Sequence, residues 1–245
     1  MKTTGKFGLV AAMLVATSMT ANAQDKVEAS VSADVVSQYI WRGTQCGEAS
    51  IQPTIGLGYK GLSLTAWGST ELGDFGNAKE FDLTLAYTTG GFNIGITDYW
   101  FSSLDGGDDA GRYFRYNSHG TNHMFEANVG YDFGPVALQW YTYFAGNDYN
   151  KTDKTTGEAK RAYSSYLEVS APFKLGGLDW TAALGFSPFE TSLYGNDKFA
   201  VTNVAVTATK DINVTPSFTL PVFVGVAANP CTQKTYFMAG FTLKP

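Results

Sequence analysis

Long apolar runs and an excess of basic residues are both missing from this sequence of 245 residues. No segment after residue 23 has 18 uninterrupted apolar residues, so no transmembrane helix is expected there. Lysine and arginine number 17 against 22 acidic residues, which argues against a nucleic-acid partner, whose phosphates require a basic surface. No shift in composition marks a linker, so a single domain is expected.

The N-terminus has the pattern of a secretory signal peptide. Lys2 and Lys6 precede an apolar run that is too short to span a bilayer, and a small-residue Ala-Asn-Ala triplet closes the segment. We therefore expect residues 1–23 to be removed and residues 24–245 to form the mature domain. Loss of Lys2 and Lys6 leaves 15 basic residues against 22 acidic ones, a formal charge of −7.

The stretch from Phe125 to Phe144 alternates apolar and polar residues on both sides of a Gly-Pro turn. This period of two is typical of β-strands with one apolar face. A two-residue turn pairs Phe133 with Val136, which places both apolar rows on the same face of a hairpin. A soluble sandwich and a membrane barrel both fit this single hairpin.

The same alternation recurs in twelve predicted strands, joined in turn by long polar loops and short turns. The first strand is predicted over residues 27–41 and the first loop over residues 42–49. A sandwich has no reason to place its long connections at every second position, whereas an outer-membrane barrel does. The sequence therefore predicts an all-β fold, a closed antiparallel up-and-down transmembrane β-barrel of about 12 strands, in the outer membrane of a Gram-negative bacterium.

Aromatic residues, at 15% of the chain, support the barrel because they recur on the apolar faces near the strand ends. Those next to the short turns predict a periplasmic girdle: Tyr59, Tyr87, Phe92, Tyr131, Phe133, Phe173 and Phe218. Those near the long loops predict part of the outer girdle: Tyr39, Trp41, Trp140, Phe144 and Phe186.

The polar rows of such a barrel line its lumen, and here most of their charged residues are acidic. The predicted lumen-lining residues are Glu28, Asp34, Lys60, Glu80, Asp82, Glu126, Asp132, Glu168 and Asp179. Carboxylates along a wet pore attract cations and repel anions, which predicts a cation-preferring channel for small solutes. An equally weighted alternative is a plugged structural or adhesin-like barrel acting through its outer loops. Whether the loop over residues 102–122 enters the lumen is left open.

Arg42 and the two cysteines are the remaining predicted site residues. Arg42 is expected at the outer mouth, as a constriction-zone cation or, preferably, as an anchor to a loop carboxylate such as Glu48. Cys46 and Cys231 fall in the first and last outer loops, which become neighbours when the barrel closes. Because the periplasm is oxidising, we expect these two cysteines to form a disulfide across the seam.

The sequence favours neither catalysis nor metal binding. A lipid hydrolase would need a serine with a histidine base, and His119 and His123 lie near Ser102, Ser103 and Ser118 without a recognisable triad. We therefore expect no enzyme activity. The acidic loop residues Asp105, Asp108 and Asp109 do not have EF-hand spacing, so no metal site and no cofactor are expected.

The run Ser37-x-Tyr39-x-Trp41-Arg42-Gly43, continued by Gln52-Pro53 and by Trp67-Gly68-Ser69, resembles the opening of the TorF-type family of porins. The resemblance covers about the first quarter of the chain and implies an outer-membrane location and a pore-like role. The partners expected for such a protein are outer-membrane lipid and lipopolysaccharide, the barrel-assembly machinery and small-molecule solutes. Barrels of this class usually end on an aromatic residue, whereas this chain ends Leu243-Lys244-Pro245.

Overall fold

A computed structural model describes residues 26–74, 79–103, 111–117 and 119–245, and the predicted signal peptide lies outside these ranges. The strands within them are β1 Glu28–Val36, β2 Tyr39–Trp41, β3 Thr44–Gly47, β4 Ser50–Tyr59, β5 Leu62–Glu71, β6 Glu80–Thr89, β7 Phe92–Phe101, β8 His123–Asp132, β9 Ala137–Gly146, β10 Lys151–Thr152, β11 Ala159–Lys160, β12 Ser165–Leu175, β13 Leu178–Ser187, β14 Ala200–Thr215, β15 Phe218–Asn229 and β16 Lys234–Leu243.

Twelve of these strands form one closed barrel in which each strand pairs antiparallel with its neighbours. The first strand, β1, closes the sheet by pairing with both β4 and β16, so that Val35 lies opposite Phe241 on one side and Ile51 on the other. The remaining strands form two small hairpins, β2–β3 and β10–β11. The predicted closed, up-and-down, twelve-stranded barrel is confirmed.

The hairpin predicted from Phe125 to Phe144 shows which face of the sheet points outward and which points into the barrel. The Phe133 amide donates a 2.9 Å hydrogen bond to the Val136 carbonyl at the turn, as the two-residue connection predicts. Val129 and Tyr131 on β8 point outward and are about two-fifths exposed, whereas Glu126 on the opposite face is buried. Large apolar side chains therefore cover the outside of the barrel, as a lipid-facing surface requires, and the polar rows are enclosed.

All seven aromatic residues of the predicted periplasmic girdle are exposed on the outside of the barrel. Phe144 of the predicted outer girdle is exposed as well. Tyr39 and Trp41 contradict the prediction, because their side chains are only 6% and 7% exposed and contact inward-facing residues of the wall. These two residues belong to the interior and not to the lipid surface.

The first strand explains this difference, because it is shorter than the predicted range of residues 27–41. The wall strand β1 ends at Val36, and β4 begins at Ser50, which pairs directly with Val36. The chain between them forms the β2–β3 hairpin around Arg42 and Gly43, whose φ angles of 48° and 78° are those of a tight two-residue turn. We call residues 39–47 the plug hairpin, since this segment leaves the wall and enters the lumen.

The orientation of the wall predicts that arginine destabilises the barrel far more at one position of β6 than at the adjacent one. Leu85 is about half exposed on the lipid face, whereas Thr84 faces the lumen and lies 3.0 Å, between hydroxyl oxygens, from Thr97 on β7. Leu85→Arg is expected to lower the free energy of unfolding by about 2–4 kcal/mol, since arginine in the middle of the bilayer is costly. Denaturant unfolding in lipid vesicles measures this loss. An equal or larger loss for the matched control Thr84→Arg would contradict the orientation.

Candidate functional site

The plug hairpin packs into a cluster of aromatic side chains inside the half of the barrel nearer the long loops. The Trp41 ring stacks on Tyr194 at 5.9 Å between centroids and meets Tyr99 edge-on at 6.2 Å. The whole buried cluster consists of Tyr39, Trp41, Trp67, Tyr99, Met124, Tyr141, Tyr143, Tyr166 and Tyr194. Each aromatic pair contributes about 0.5–1.5 kcal/mol beyond the area that it buries. The plug hairpin therefore buries its aromatic rings in the way that a protein core does.

Arg42 stands at the tip of the plug hairpin and binds a carboxylate on the far wall. Its Nη1 and Nη2 atoms donate to the two oxygens of Glu126 on β8, at 2.6 and 2.9 Å. Nη1 also donates to the Tyr194 hydroxyl at 2.8 Å, and Tyr99 donates to Glu126 Oε1 at 3.1 Å. Arg42 and Glu126 are 6% and 2% exposed, so this two-pronged ion pair is shielded from water.

Three aromatic rings surround the guanidinium group of Arg42. Its Cζ atom lies 3.9 Å from the Tyr141 ring centroid, 4.4 Å from that of Trp41 and 4.8 Å from that of Tyr166. A cation over an aromatic face gains about 2 kcal/mol or more when water is excluded. We call Glu126, Tyr141, Tyr166 and Tyr194 the guanidinium cage, because all four belong to the wall or to a later loop and none to the plug hairpin.

Tyr194 reaches the cage from the loop between β13 and β14, and polar contacts fix that loop. The Thr191 amide donates to the Asn196 carbonyl at 2.9 Å, and the Asn196 side chain donates to the Phe189 carbonyl at 2.7 Å. Burial raises the pKa of the Tyr194 hydroxyl above its ordinary value, so it faces the guanidinium as a neutral acceptor. The inward position of Tyr194 is thus set by its own loop and does not depend on Arg42 alone.

Irregularities of the barrel wall occur where the tip of the plug hairpin touches it. The pairing of β13 with β14 shifts at Thr202, and a side chain at Gly43 would place its Cβ only 2.1 Å from the Thr202 carbonyl oxygen. The Asn229 side chain donates to the Gly43 carbonyl at 3.1 Å. A second bulge separates Phe125 from Glu126 in the pairing of β8 with β9. Bulges re-aim side chains, and these two shape the wall around Arg42 and Gly43.

The lumen near the plug hairpin is acidic. Glu80 and Asp82 on β6 are buried, and Asp82 Oδ1 has no hydrogen-bond partner within the described part of the chain. Glu168 on β12 accepts a 2.8 Å hydrogen bond from Tyr166, and Asp34 on β1 accepts one from Thr242. Within the same described ranges, Arg42 is the only lysine or arginine that is buried. These inward carboxylates therefore outnumber the buried bases.

Other predicted lumen residues lie at the rim formed by the short turns and not along the pore. Asp132 is exposed and accepts a 2.7 Å hydrogen bond from the Gly134 amide, which stabilises its turn. Asp179 is exposed and pairs with Lys174, and Lys60 is exposed in the β4–β5 turn. Glu28 begins β1 at the same end and is partly buried. For Asp132, Asp179 and Lys60 the lumen assignment is corrected to a rim position, because strand parity alone does not give depth.

The space beside Arg42 is small. A cavity of about 30 Å³ adjoins the plug hairpin and is lined by Arg42, Glu168, Thr181, Asn203, Thr207 and Met238 among others. That volume is about the share of one water molecule in the liquid. Nearer the short turns, several inward residues are glycine, including Gly56 and Gly95. The narrow part of the lumen is thus the level of the plug hairpin.

The structure corrects two predictions for the first loop. Arg42 is not at the outer mouth, and its carboxylate partner is Glu126 rather than Glu48, which accepts a hydrogen bond from Gln45 instead. Cys46 and Cys231 are both free thiols, so the predicted disulfide is not formed. The inward turn of the chain after Val36 carries Cys46 with the plug hairpin, while the Cys231 thiol contacts the Gly195 carbonyl.

The described part of the third long loop lies against the outside of the barrel. The Tyr113 ring contacts Phe81 and Trp100 edge-on, at centroid distances of 5.7 and 5.4 Å. Phe81 and Trp100 alternate with the inward-facing residues of β6 and β7, so both point toward lipid. The segment from residue 111 to residue 117 therefore covers the outer wall and does not fill the lumen.

His123 is buried under this loop and is not arranged as a catalytic base. Its Nδ1 lies 2.8 Å from Asp98 Oδ1 and its Nε2 lies 2.5 Å from the Tyr113 carbonyl oxygen. A carbonyl only accepts, so Nε2 must donate to it and has no lone pair for a serine proton. His119 contacts Tyr149 instead, and Ser118 lies outside the described residues. Among the described residues, the two histidines form no triad with Ser102 or Ser103.

No group of three or more histidine, cysteine, aspartate or glutamate residues suited to a metal ion occurs in the described ranges. Asp105, Asp108 and Asp109 lie outside them. In those ranges there is also no helix of the length and hydropathy that crossing a membrane requires.

Comparisons with known proteins find likeness in three-dimensional structure and not in sequence. No family model and no curated protein matches the chain. A NanC porin structure aligns over 88% of this chain and 98% of its own, with 9% identity and a TM-score of 0.45. Salmonella typhi OmpF, solved with daunomycin, aligns over 91% of this chain and 99% of its own, with 12% identity and a TM-score of 0.36. OprD from Pseudomonas aeruginosa aligns over 81% of this chain and 61% of its own, with 10% identity and a TM-score of 0.35.

The plug hairpin and its cage are what sequence reasoning missed. Tyr39 and Trp41 continue the period-two pattern of β1, so the pattern alone extends the wall strand through them. The one available signal was Gly43, since glycine suits the second position of a turn that needs positive φ. A turn at that point would have ended the first strand earlier.

Proposed function

We propose that this protein is an outer-membrane channel with a cation-preferring lumen, and that the plug hairpin closes the lumen at rest. The carboxylates of Glu80, Asp82, Glu126 and Glu168 around Arg42 carry the proposal, because they leave the narrow part of the lumen negative once the hairpin moves aside and water hydrates them. A cation entering from either side meets a favourable field there and an anion meets repulsion. The resemblance of residues 37–69 to TorF-type porins supports the same proposal.

Closure follows from the packing of the plug hairpin. Trp41 and Tyr39 fill the lumen with buried rings, and the adjoining cavity of about 30 Å³ has no room for a hydrated ion. Passage then requires the hairpin to leave its position. Its two strands pair at only three positions with each other, and the wall pairing of Val36 with Ser50 is complete without it. The hairpin can therefore move while the barrel stays closed as a sheet.

The filled lumen also favours a second function, that of a permanently plugged barrel that acts through its outer loops as a structural or adhesive protein. In that case the ion pair of Arg42 with Glu126 serves packing alone, and the acidic residues have no transport role. The two functions make opposite predictions for a barrel from which the plug hairpin has been removed.

Planar-bilayer recording separates them. Residues 38–48 are replaced by a short Gly-Ser turn, which is feasible because Val36 and Ser50 are already paired. We expect little current from the natural protein, and a steady current with K⁺ preferred over Cl⁻ from the shortened variant. The matched control replaces residues 152–159 of the exposed β10–β11 hairpin with the same turn and should stay closed. Absence of current from the first variant would favour the plugged barrel, and preference for Cl⁻ would exclude the acidic pathway.

A further inference from the structure

We infer that the guanidinium cage is a binding site for small solutes that carry a guanidinium group, and that Arg42 occupies this site as an internal ligand. The inference rests on the proposed channel function, since a solute reaches the cage only through the lumen. It adds a substrate class and a way of opening: a solute that takes the place of Arg42 removes the main polar contact of the plug hairpin.

The cage is complete without the hairpin. Glu126 belongs to β8, Tyr141 to β9 and Tyr166 to β12, and Tyr194 is positioned by its own loop. Only Trp41, among the groups around the guanidinium, leaves when the hairpin leaves. The carboxylate is also pre-oriented, because Tyr99 donates to Glu126 Oε1 from the neighbouring strand β7. An empty cage therefore keeps its acceptors and its aromatic faces in place.

The geometry of the cage selects a planar, forked cation. Two N–H groups meet the two oxygens of Glu126 at 2.6 and 2.9 Å, and the Tyr141 ring lies 3.9 Å from the guanidinium carbon. A guanidinium group makes both contacts at once because it is flat and presents parallel donors. An ammonium group is a compact point charge that cannot form the same fork, and a neutral urea has the shape without the charge.

The surroundings also favour a ligand larger than a guanidinium group. The cavity next to Arg42 is lined by Glu168 and by Asn203, whose Oδ1 is buried without a hydrogen-bond partner in the described part of the chain. Plain packing would not need such groups, since an apolar plug of the same shape closes a lumen at least as stably as a buried ion pair does. Recognition of a guanidinium ligand explains better why an ion pair stands beside a cavity with polar walls.

Isothermal titration of the Arg42→Ala barrel in detergent micelles tests the inference with three probes of similar size: methylguanidinium, methylammonium and methylurea. Methylguanidinium is expected to bind saturably and at least about tenfold more tightly than the other two, because it alone supplies both the fork and the charge. The natural protein, whose cage is filled by Arg42, should bind it much more weakly. Adding Glu126→Gln to Arg42→Ala should abolish the preference.

Equal binding of methylguanidinium and methylurea by Arg42→Ala, or binding that survives Glu126→Gln, would overturn the inference. If Arg42→Ala does not fold, the variant with residues 38–48 replaced is titrated instead, since it keeps all four cage residues. Titration in micelles needs no ion current. Selective binding without current in the bilayer experiment would therefore leave the site standing and reject the channel, whereas current without selective binding would reject only the site.

Discussion

Replacing Arg42 with alanine is expected to turn a barrel that passes little current into one that opens frequently in planar bilayers. The substitution removes both hydrogen bonds to Glu126 and the contacts with three aromatic rings. Breaking a buried ion pair by removing one partner costs about 3–5 kcal/mol, because the other charge is left buried and unpaired. The lost free energy is regained when the plug hairpin moves aside and water reaches Glu126.

Two arginine variants give this experiment its controls. Arg42→Lys keeps the charge but not the fork, so its open probability should fall between those of the natural protein and Arg42→Ala. Arg161→Ala removes another arginine that lies over a tyrosine ring, 5.1 Å from the Tyr149 centroid, in an outer loop. It should leave the current unchanged. Currents from Arg42→Ala equal to those of the natural protein would show that the hairpin does not depend on its tip for closure.

The barrel was predictable from sequence because its wall obeys a strictly local rule. Each strand must alternate apolar and polar residues in order to face lipid on one side and the lumen on the other. The stretch from Phe125 to Phe144 shows this alternation in a single hairpin. Aromatic residues such as Tyr59 and Tyr131 mark the membrane boundary for an equally local reason, the chemistry of the interface. Pairing of β1 with β16 then follows from closure.

The contents of the lumen were not predictable in this way. Tyr39 and Trp41 continue the alternation of β1 on its apolar face. The alternation predicts a lipid-facing position for such residues, whether they in fact contact lipid or other aromatic rings. The partner of Arg42 is 84 positions away on β8, and alternation along one strand does not tell which residues meet across the barrel. The disulfide prediction failed for the same reason, because it assumed that the first loop stays at the rim.

In the proposed channel, depth along the barrel separates the carboxylates expected to select ions from those that are not. Alternation places Glu126 and Asp132 on the same inward face of β8. Only Glu126 lies at the narrow level, while Asp132 stabilises an exposed turn at the rim. Charges that are exposed to bulk water are screened within about 8 Å at physiological salt. The enclosed carboxylates should therefore dominate ion selectivity.

Neutralising Glu80 and Asp82 together is expected to remove most of the preference for cations in the barrel whose residues 38–48 are replaced. Both side chains point inward from β6 and are buried at the level of the plug hairpin. In a water-filled pore, a unit charge about 4 Å from a passing ion is worth about 1 kcal/mol. Each carboxylate therefore raises the local K⁺ concentration about fivefold and lowers that of Cl⁻ about fivefold. The reversal potential in a KCl gradient measures the loss in Glu80→Gln/Asp82→Asn.

The matched pair Asp132→Asn/Asp179→Asn removes the same charge from the rim and should shift that potential far less. Equal shifts in the two double variants would mean that ions are selected by the total charge of the barrel and not at the level where Arg42 meets Glu126.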